Sequence, residues 1–249
     1  MLEIKNIHSG YGRTEVLRGA SLSVEQGSLV SLIGKNGAGK STLLKTVIGA
    51  HPISSGEIFI DGRAAASLSR REIAGSVAYL SQERTVPNMT ALALTVHGRY
   101  PHLGYCRSYS EEDYRIAREA MERLGIEGLA DCPVASLSGG MRRLVYIAMA
   151  LAQGTDYILL DEPLSHLDIA HQLRLMDILR SLAAEGRGIL TVMHDLPMAF
   201  SYSDKLAVLR DGVIAAEAPP EQIYDSDMVQ RLFSAPLRRR GRGYYYSLK

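Results

Sequence analysis

The chain has 249 residues, enough for one folded unit with a core large enough to support a rigid site. Lys plus Arg total 28 against 27 for Asp plus Glu, a formal net charge of +1, so no broad field marks nucleic acid or an acidic membrane as the main partner. The cysteines, Cys106 and Cys132, sit in no CxxC or Cys/His cluster, which suits reduced thiols rather than a disulfide framework.

In chain order, Met1-Leu2-Glu3-Ile4-Lys5 is charged at once and lacks the apolar core of a secretory signal, which predicts a chain kept inside the cell. Residues 28–33 form a short apolar run ending in glycine, and residues 40–48 read as a helix, giving strand, loop, helix. Asp61-Gly62 and Asp211-Gly212 each sit between short apolar runs and read as hairpin turns, which predicts an antiparallel β layer flanking a parallel sheet. Residues 90–153 have a helical texture, with a charged helix over 111–124 and another starting near Ser138. The latter carries Val145, Ala148, Met149 and Ala152 at i, i+3, i+4 and i+7. The longest apolar stretch, 145–152, falls far short of the roughly 20 residues a membrane-crossing helix needs, so any membrane role is borrowed from a partner.

A second strand-like run, 157–160, ends in Asp161-Glu162, and a third, 189–193, ends in His194-Asp195. Between them a helix after Asp168 carries Leu175, Met176, Leu179, Leu182 and Ala183 on one stripe. Buried strands that end in polar residues predict an α/β core, whose ligands sit beyond the carboxyl ends of the strands. The expected division is a core with its β layer over 1–89 and 154–249 and a helical part over 90–153. Arg238-Arg239-Arg240-Gly241-Arg242 and Tyr244-Tyr245-Tyr246 read as a solvated terminus, with membrane-surface or subunit contact as the other reading.

Gly34-Lys35-Asn36-Gly37-Ala38-Gly39-Lys40-Ser41 matches GxxxxGK[ST] between a predicted strand and a predicted helix, the context that the phosphate-binding loop requires. Its glycines let backbone N–H groups curl round phosphates, and the helix start through Thr42 adds its dipole. Lys40 reaches the β and γ phosphates, and Ser41 offers a hydroxyl to Mg²⁺. Asp161 is placed to hold Mg²⁺ and Glu162 to polarise the attacking water. ATP and Mg²⁺ are therefore the expected cofactors. Taken alone, an apolar run ending in Asp-Glu, a strand-end His194 and an isolated Tyr11 are each as well explained by solvation, capping and packing.

Leu137-Ser138-Gly139-Gly140 ahead of a helix resembles the signature of ATP-binding cassette (ABC) ATPases. The order of phosphate loop, Gln82, signature, acidic pair, Ser165-His166-Leu167-Asp168 and His194 resembles that family over nearly the whole chain. The resemblance implies a P-loop NTPase (RecA-like) α/β core with a flanking antiparallel β layer and an inserted α-helical subdomain. It also implies a head-to-tail homodimer in which ATP on one copy's phosphate loop is closed over by Ser138, Gly139 and Gly140 of the other. By similarity Glu162 is the general base, His194 holds the γ-phosphate and water, Gln82 senses Mg²⁺ and the permease, Asp168 lies in the loop joining the two sites, and Tyr11 stacks on adenine. Two departures stand out: Met141 occupies the position where glutamine usually follows the signature, and Leu164-Ser165-His166 replaces a threonine or small residue. The first predicts intact ATP binding with weakened dimer closure.

Gly98-Arg99-Tyr100-Pro101-His102, Leu167-Asp168-Ile169-Ala170-His171-Gln172 and His194-Asp195-Leu196-Pro197-Met198-Ala199 resemble cassettes of importers for iron-siderophores, haem and cobalamin. That subfamily implies a peripheral protein on the cytoplasmic face of the membrane, integral permease subunits as partners, an extracytoplasmic substrate-binding protein acting indirectly, and no nucleic acid. After Gln82, an apolar groove of Leu92, Leu94, Val96 and Tyr100 is one reading of the permease contact; a surface loop is the other. The alternative functions are a soluble ABC ATPase of iron-sulfur cluster assembly and an importer cassette for another small nutrient. The span from Gln82 to Ser138 is too short for the coiled coil of DNA-repair members, and the chain lacks the Asn-Lys-x-Asp of a guanine-specific switch.

Overall fold

Parity along the central strands decides the architecture. Leu29 and Ile33 face one core while Val30 and Leu32 face another; Ile158 and Leu160 separate from Tyr157 and Leu159 in the same way. A sheet buried on both faces, with β-branched and leucine side chains on each, must be covered on both. The computed structural model describes residues 1–82, 86–104, 108–226, 228–233, 236–241 and 243–247.

The chain opens with two long strands, β1 (Leu2–Tyr11) and β2 (Thr14–Val24), followed by β3 (Leu29–Ile33) and helix α1 (Lys40–Val47). Next come β4 (Ser55–Ile60), β5 (Arg63–Ala64), α2 (Arg70–Ser76) and β6 (Val77–Leu80). Helices α3 (Ala91–Val96), α4 (Glu111–Arg123) and α5 (Gly139–Ala152), with short 3₁₀ turns between them, precede β7 (Tyr157–Asp161). The chain continues through α6 (Ile169–Ala184), β8 (Gly188–Val192), α7 (Leu196–Tyr202), β9 (Lys205–Arg210) and β10 (Val213–Ala218). It closes with α8 (Pro220–Asp225), α9 (Met228–Phe233), β11 (Leu237–Arg240) and β12 (Gly243–Tyr246).

Six strands form the main sheet in the order β10-β9-β3-β8-β7-β6, parallel from β9 to β6 with only β10 antiparallel. A second, antiparallel sheet runs β2-β1-β4-β5. Helix α1 and the buried side chains of that second sheet, among them Leu2, Ile4 and Ile7, cover one face of the main sheet. Helices α5, α6 and α7 help to cover the other, using Val145, Leu175, Met176, Leu179 and Phe200. The signature helix and the helix after Asp168 thus bury their predicted stripes, although Met149 is only half-buried.

Four expectations need correction. The Asp61 and Asp211 turns do carry the positive φ of a tight hairpin, 48° and 52°, each followed by a positive-φ glycine. However, the second hairpin, β9–β10, extends the main sheet rather than the flanking layer, because β9 pairs directly with β3. Leu92, Leu94 and Val96 do not line a groove: they are buried where α3 packs against α4 and α5, and only Tyr100 is exposed. The basic and aromatic terminus is a docked hairpin, with Tyr244 buried and its ring centroid 5.0 Å from that of Phe200 on α7. The strand over residues 189–193 is shifted back one residue, to Gly188–Val192, with the Met193 N–H just beyond it still donating to the Leu32 carbonyl of its neighbour β3. Cys132 is a free thiol, and Cys106 and Arg242 lie outside the described residues. Among the described residues no helix is long and apolar enough to cross a membrane.

Candidate functional site

The loop between β3 and α1 closes on glycines because side chains have nowhere to go. A Cβ at Gly34 would sit 2.4 Å from the Leu209 carbonyl oxygen, and at Gly39, which has a φ of 104°, 2.9 Å from the Leu17 side chain. Helix α1 starts at Gly39 with no side chain capping it, so its first N–H groups and the positive end of its dipole are left for an anion. Lys40 is buried, and its Nζ donates to the Gly34 and Lys35 carbonyls at 2.7 and 3.0 Å. Burial lowers its pKa, opposed by the charges of Glu162 and Asp161.

This loop opens on a cavity of about 590 Å³ lined by Tyr11, Val16, Asn36, Gly37, Gly39, Lys40, Ser41, Thr42, Gln82, Glu162 and His194. Residues from β1 to the end of β8 meet there because the parallel strands deliver their carboxyl ends to one edge. Glu162 follows β7 in a left-handed conformation, φ 51°, which costs an L-residue about 1–2 kcal/mol. Its side chain is held from two sides: Gln82 Nε2 donates to Oε2 at 2.8 Å, and His194 Nε2 donates to Oε1 at 2.5 Å. One carboxylate between an amide and an imidazole, facing a phosphate loop, can hold and deprotonate a water.

Asp161 sits one residue earlier and is buried, and its Oδ1 has no hydrogen-bond partner among the described residues. Burial raises its pKa and the Glu162 charge adds to the rise, while the Ser41 hydroxyl and the Lys45 and Arg143 charges oppose it. A buried carboxylate oxygen without a partner, next to a hydroxyl at the start of α1, is a donor set that fits Mg²⁺.

Tyr11 is half exposed at the rim, and its ring lies 4.2 Å from that of His51 at 33°. His51 Nε2 donates to the Gly10 carbonyl at 3.0 Å, which fixes this second ring behind the first. His51 went unnoticed in the sequence because 40 residues separate it from Tyr11 and no motif contains it.

Ser138, Gly139, Gly140 and Asp168 do not line the cavity. The Ser138 hydroxyl caps α5 by accepting from Met141 N at 3.2 Å, and Ser138 and Gly139 are exposed. A Cβ at Gly140 would lie 3.0 Å from the His166 carbonyl oxygen, so the signature turn packs on the 164–168 loop. Asp168 caps α6, accepting from His171 N at 2.9 Å, and that bond is the main cause of its lowered pKa. The cavity brings together Tyr11, Asn36, Gly37, Gly39, Lys40, Ser41, Thr42, Gln82, Glu162 and His194 of the predicted residues, whereas Lys35 and Ala38 line a neighbouring cavity and Ser138, Gly139 and Asp168 are exposed outside it.

A family model described as "ABC transporter" matches residues 17–165. The chain is 37% identical to the iron(3+)-hydroxamate import ATP-binding protein FhuC of Bacillus subtilis (strain 168), covering 93% of this chain and 87% of that one. It is 37% identical to the ferric enterobactin transport ATP-binding protein FepC of Escherichia coli (strain K12), over 90% and 83%. It is also 37% identical to the hemin import ATP-binding protein HmuV of Rhodococcus jostii (strain RHA1), over 91% and 77%. Among solved structures, a nucleotide-free ATP-binding cassette from an ABC transporter superposes with a TM-score of 0.82 at 26% identity, covering 95% of this chain and 96% of that one. The dimeric structure of MJ0796, a bacterial ABC transporter cassette, superposes with a TM-score of 0.79 at 28% identity, over 88% and 99%.

Proposed function

The chain belongs to the ABC transporter family, and on that premise we propose that it is the ATP-hydrolysing subunit of an importer. It works as a pair of identical copies on the cytoplasmic face of the membrane and drives a separate permease for an iron-siderophore, haem or cobalamin-type substrate. The relatives named for hydroxamate, enterobactin and hemin import support the substrate class. A substrate-binding protein outside the membrane would deliver the cargo to the permease, and no nucleic acid takes part. The division into a core over 1–89 and 154–249 and a helical part over 90–153 belongs to this reading.

One observation carries the proposal: Glu162 is clamped between Gln82 and His194 inside the phosphate-loop cavity, while the Ser138–Gly140 turn faces elsewhere. One copy grips the triphosphate and the other closes it. Tyr11, backed by His51, stacks on the adenine, and backbone N–H groups from Gly37 to Thr42 hold the phosphates. Lys40 turns its ammonium from the loop carbonyls to the phosphate oxygens. Asp161, Ser41 and Gln82 are the residues that would hold magnesium, which when bound supplies positive charge to the β and γ oxygens. Water attacks the γ-phosphorus, Glu162 accepts its proton, and the bond from that phosphorus to the bridging oxygen breaks to leave ADP and phosphate. His194, bonded to Glu162 and lining the same cavity, is the residue that holds the γ-phosphate and the attacking water.

A cleft of about 380 Å³ between α2 and residues 100–104 is the candidate permease contact, lined by Arg71, Ala74, Tyr100, Pro101 and Leu103. Arg71 shapes it by donating to the Pro101 and Leu103 carbonyls. The test is Glu162→Gln in the full chain. It retains ATP, loses turnover and accumulates a dimer with nucleotide trapped between the copies, and parent-level turnover removes Glu162 from its role. Purification with its permease into vesicles, followed by uptake of ferric siderophore or haem, separates import from a soluble role in iron-sulfur assembly.

A further inference from the structure

The cavity does not account for one buried cation. Arg143 lies on α5, five residues after the signature serine, and is only 6% exposed. Its guanidinium makes no use of the solvent side of that helix. Nη1 donates to the carbonyls of Ser81 and Gln82 at 3.1 and 3.4 Å, and Nη2 donates to the carbonyls of Asp161 and Glu162, both at 2.7 Å. These four oxygens belong to the two chain segments that leave β6 and β7.

A charge buried at this depth persists only where dipoles or counter-charges surround it, and a planar fork with several fixed donors is the group that can span two backbones at once. The consequence is geometric. Gln82 and Glu162 face each other at 2.8 Å through their side chains, and Arg143 ties their main chains from behind. Glu162 needs such a tie, because its left-handed backbone is not a conformation its residue type adopts unaided. The tie is anchored on the helix whose N-terminus carries Ser138, Gly139 and Gly140.

We propose that Arg143 is a positioning residue for ATP hydrolysis: it fixes the Gln82–Glu162 pair to the signature helix, so that the carboxylate is in register only when that helix is seated. The helix that closes one copy's site thereby sets the catalytic geometry of the other. A lysine at this position offers a single point charge and reaches one backbone at a time, and a methionine fills the volume and reaches neither.

This inference rests on the assignment of Glu162 as the base, and the experiment separates the two. Steady-state ATPase of the full chain with magnesium and ATP is measured for the parent, Arg143→Met, Arg143→Lys and Glu162→Gln, together with the single-turnover rate of the Glu162→Gln/Arg143→Met double variant. Arg143→Met lowers kcat on the order of 10- to 100-fold while the KM for ATP stays within about twofold, because the phosphate grip is untouched. Arg143→Lys recovers part of the loss. In the Glu162→Gln background the methionine changes the residual rate less than about twofold, since the group it positions is already gone. A purely structural arginine lowers the melting temperature and lowers both backgrounds by the same factor, and that result overturns the proposal, as does parent kcat in Arg143→Met. If Arg143→Met does not fold, Arg143→Lys carries the same kcat-against-KM comparison. Parent turnover in Glu162→Gln, by contrast, sinks the assignment of the base.

Discussion

Helices α1 and α5 both begin in glycine-rich turns, and they begin in opposite ways. Helix α1 starts at a glycine with no side-chain cap, inside the cavity, beside a buried lysine that donates to two loop carbonyls. Helix α5 starts at a serine that caps its own third N–H, on the exposed surface. The first leaves its dipole unsatisfied within its own chain; the second is complete for folding and is idle until something is brought to it. A chain with one open anion site and one closed, outward-facing helix start has the parts of a shared site, the grip and the cap, on different surfaces.

The comparison breaks most sharply by removing each part in turn. Lys40→Ala lowers turnover by about 10³-fold and weakens ATP binding to the isolated chain, because the Lys40 ammonium in the cavity is lost. Ser138→Arg, on an exposed position, costs roughly 1 kcal/mol of cap energy and leaves ATP binding to the isolated chain intact, yet abolishes turnover. Mixing the two inactive variants restores ATPase, since half-sites with an intact grip then meet an intact cap. If the mixture stays inactive while each variant remains folded, the shared-site interpretation fails.

The floor of the cavity gives the next effect. Burial holds the pKa of Asp161 in the folded chain above the ordinary range of an aspartate. Folding therefore favours its protonated form, and its contribution to stability is present below the pKa of the unfolded chain and lost as pH rises through the folded pKa. At neutral pH, without nucleotide and with a chelator present, Asp161→Asn relieves a buried charge and raises the melting temperature by about 2–4 °C, equivalent to roughly 1 kcal/mol. The gap between variant and parent narrows as pH falls through the acid range and reverses when magnesium and ATP are added. A gap of constant size across pH excludes the carboxylate as its source.

At the rim the effect is smaller. Tyr11→Ala weakens nucleotide affinity by about 1 kcal/mol, roughly fivefold, and His51→Ala by less, since its ring supports Tyr11 from behind and does not reach the ligand. Both are measured by titration with a fluorescent ATP analogue. Equal losses from the two substitutions put His51 in direct contact with the base.

How legible these parts were follows from how local they are. The phosphate loop, the Asp161-Glu162 pair and the start of α5 are contiguous stretches whose chemistry is fixed by neighbours in sequence, and each emerged where it was expected. Strands β1 and β2 did not emerge. On β1 the inward positions Leu2, Ile4 and Ile7 lose the strict period of two at a register shift between Ile4 and Ile7, where Asn6 turns to a φ of 50°, and on β2 the inward positions Leu17, Ala20 and Leu22 lose it likewise. Arg143 was hidden for another reason. An arginine in a helix reads as a solvent-facing charge, and only the convergence of β6 and β7 beneath it supplies the four carbonyls that make burial tolerable. The tyrosine-rich terminus reversed its expected character because Phe200 and Tyr224, distant in sequence, offer the rings on which Tyr244 packs.

The smallest expected effect concerns the cap itself. Met141 stands in the first turn of α5, where its backbone N–H donates to Ser138 and its side chain is half-buried against the helix-side core. Because the backbone makes the cap, replacing the side chain leaves the helix start intact, so Met141→Gln changes one thing only: it adds an amide next to the exposed turn that would meet the second copy. One new hydrogen bond in a partly solvated contact is worth about 0.5–1.5 kcal/mol, which predicts a few-fold tighter ATP-driven dimer in the Glu162→Gln background and an unchanged ATP affinity in the isolated chain. Analytical ultracentrifugation with and without ATP reads both. A glutamine variant that dimerises no better than the parent shows that the thioether already fills its place between the copies, and that the cap on this chain works through the Ser138 hydroxyl and the N–H groups of Gly139 and Gly140 alone.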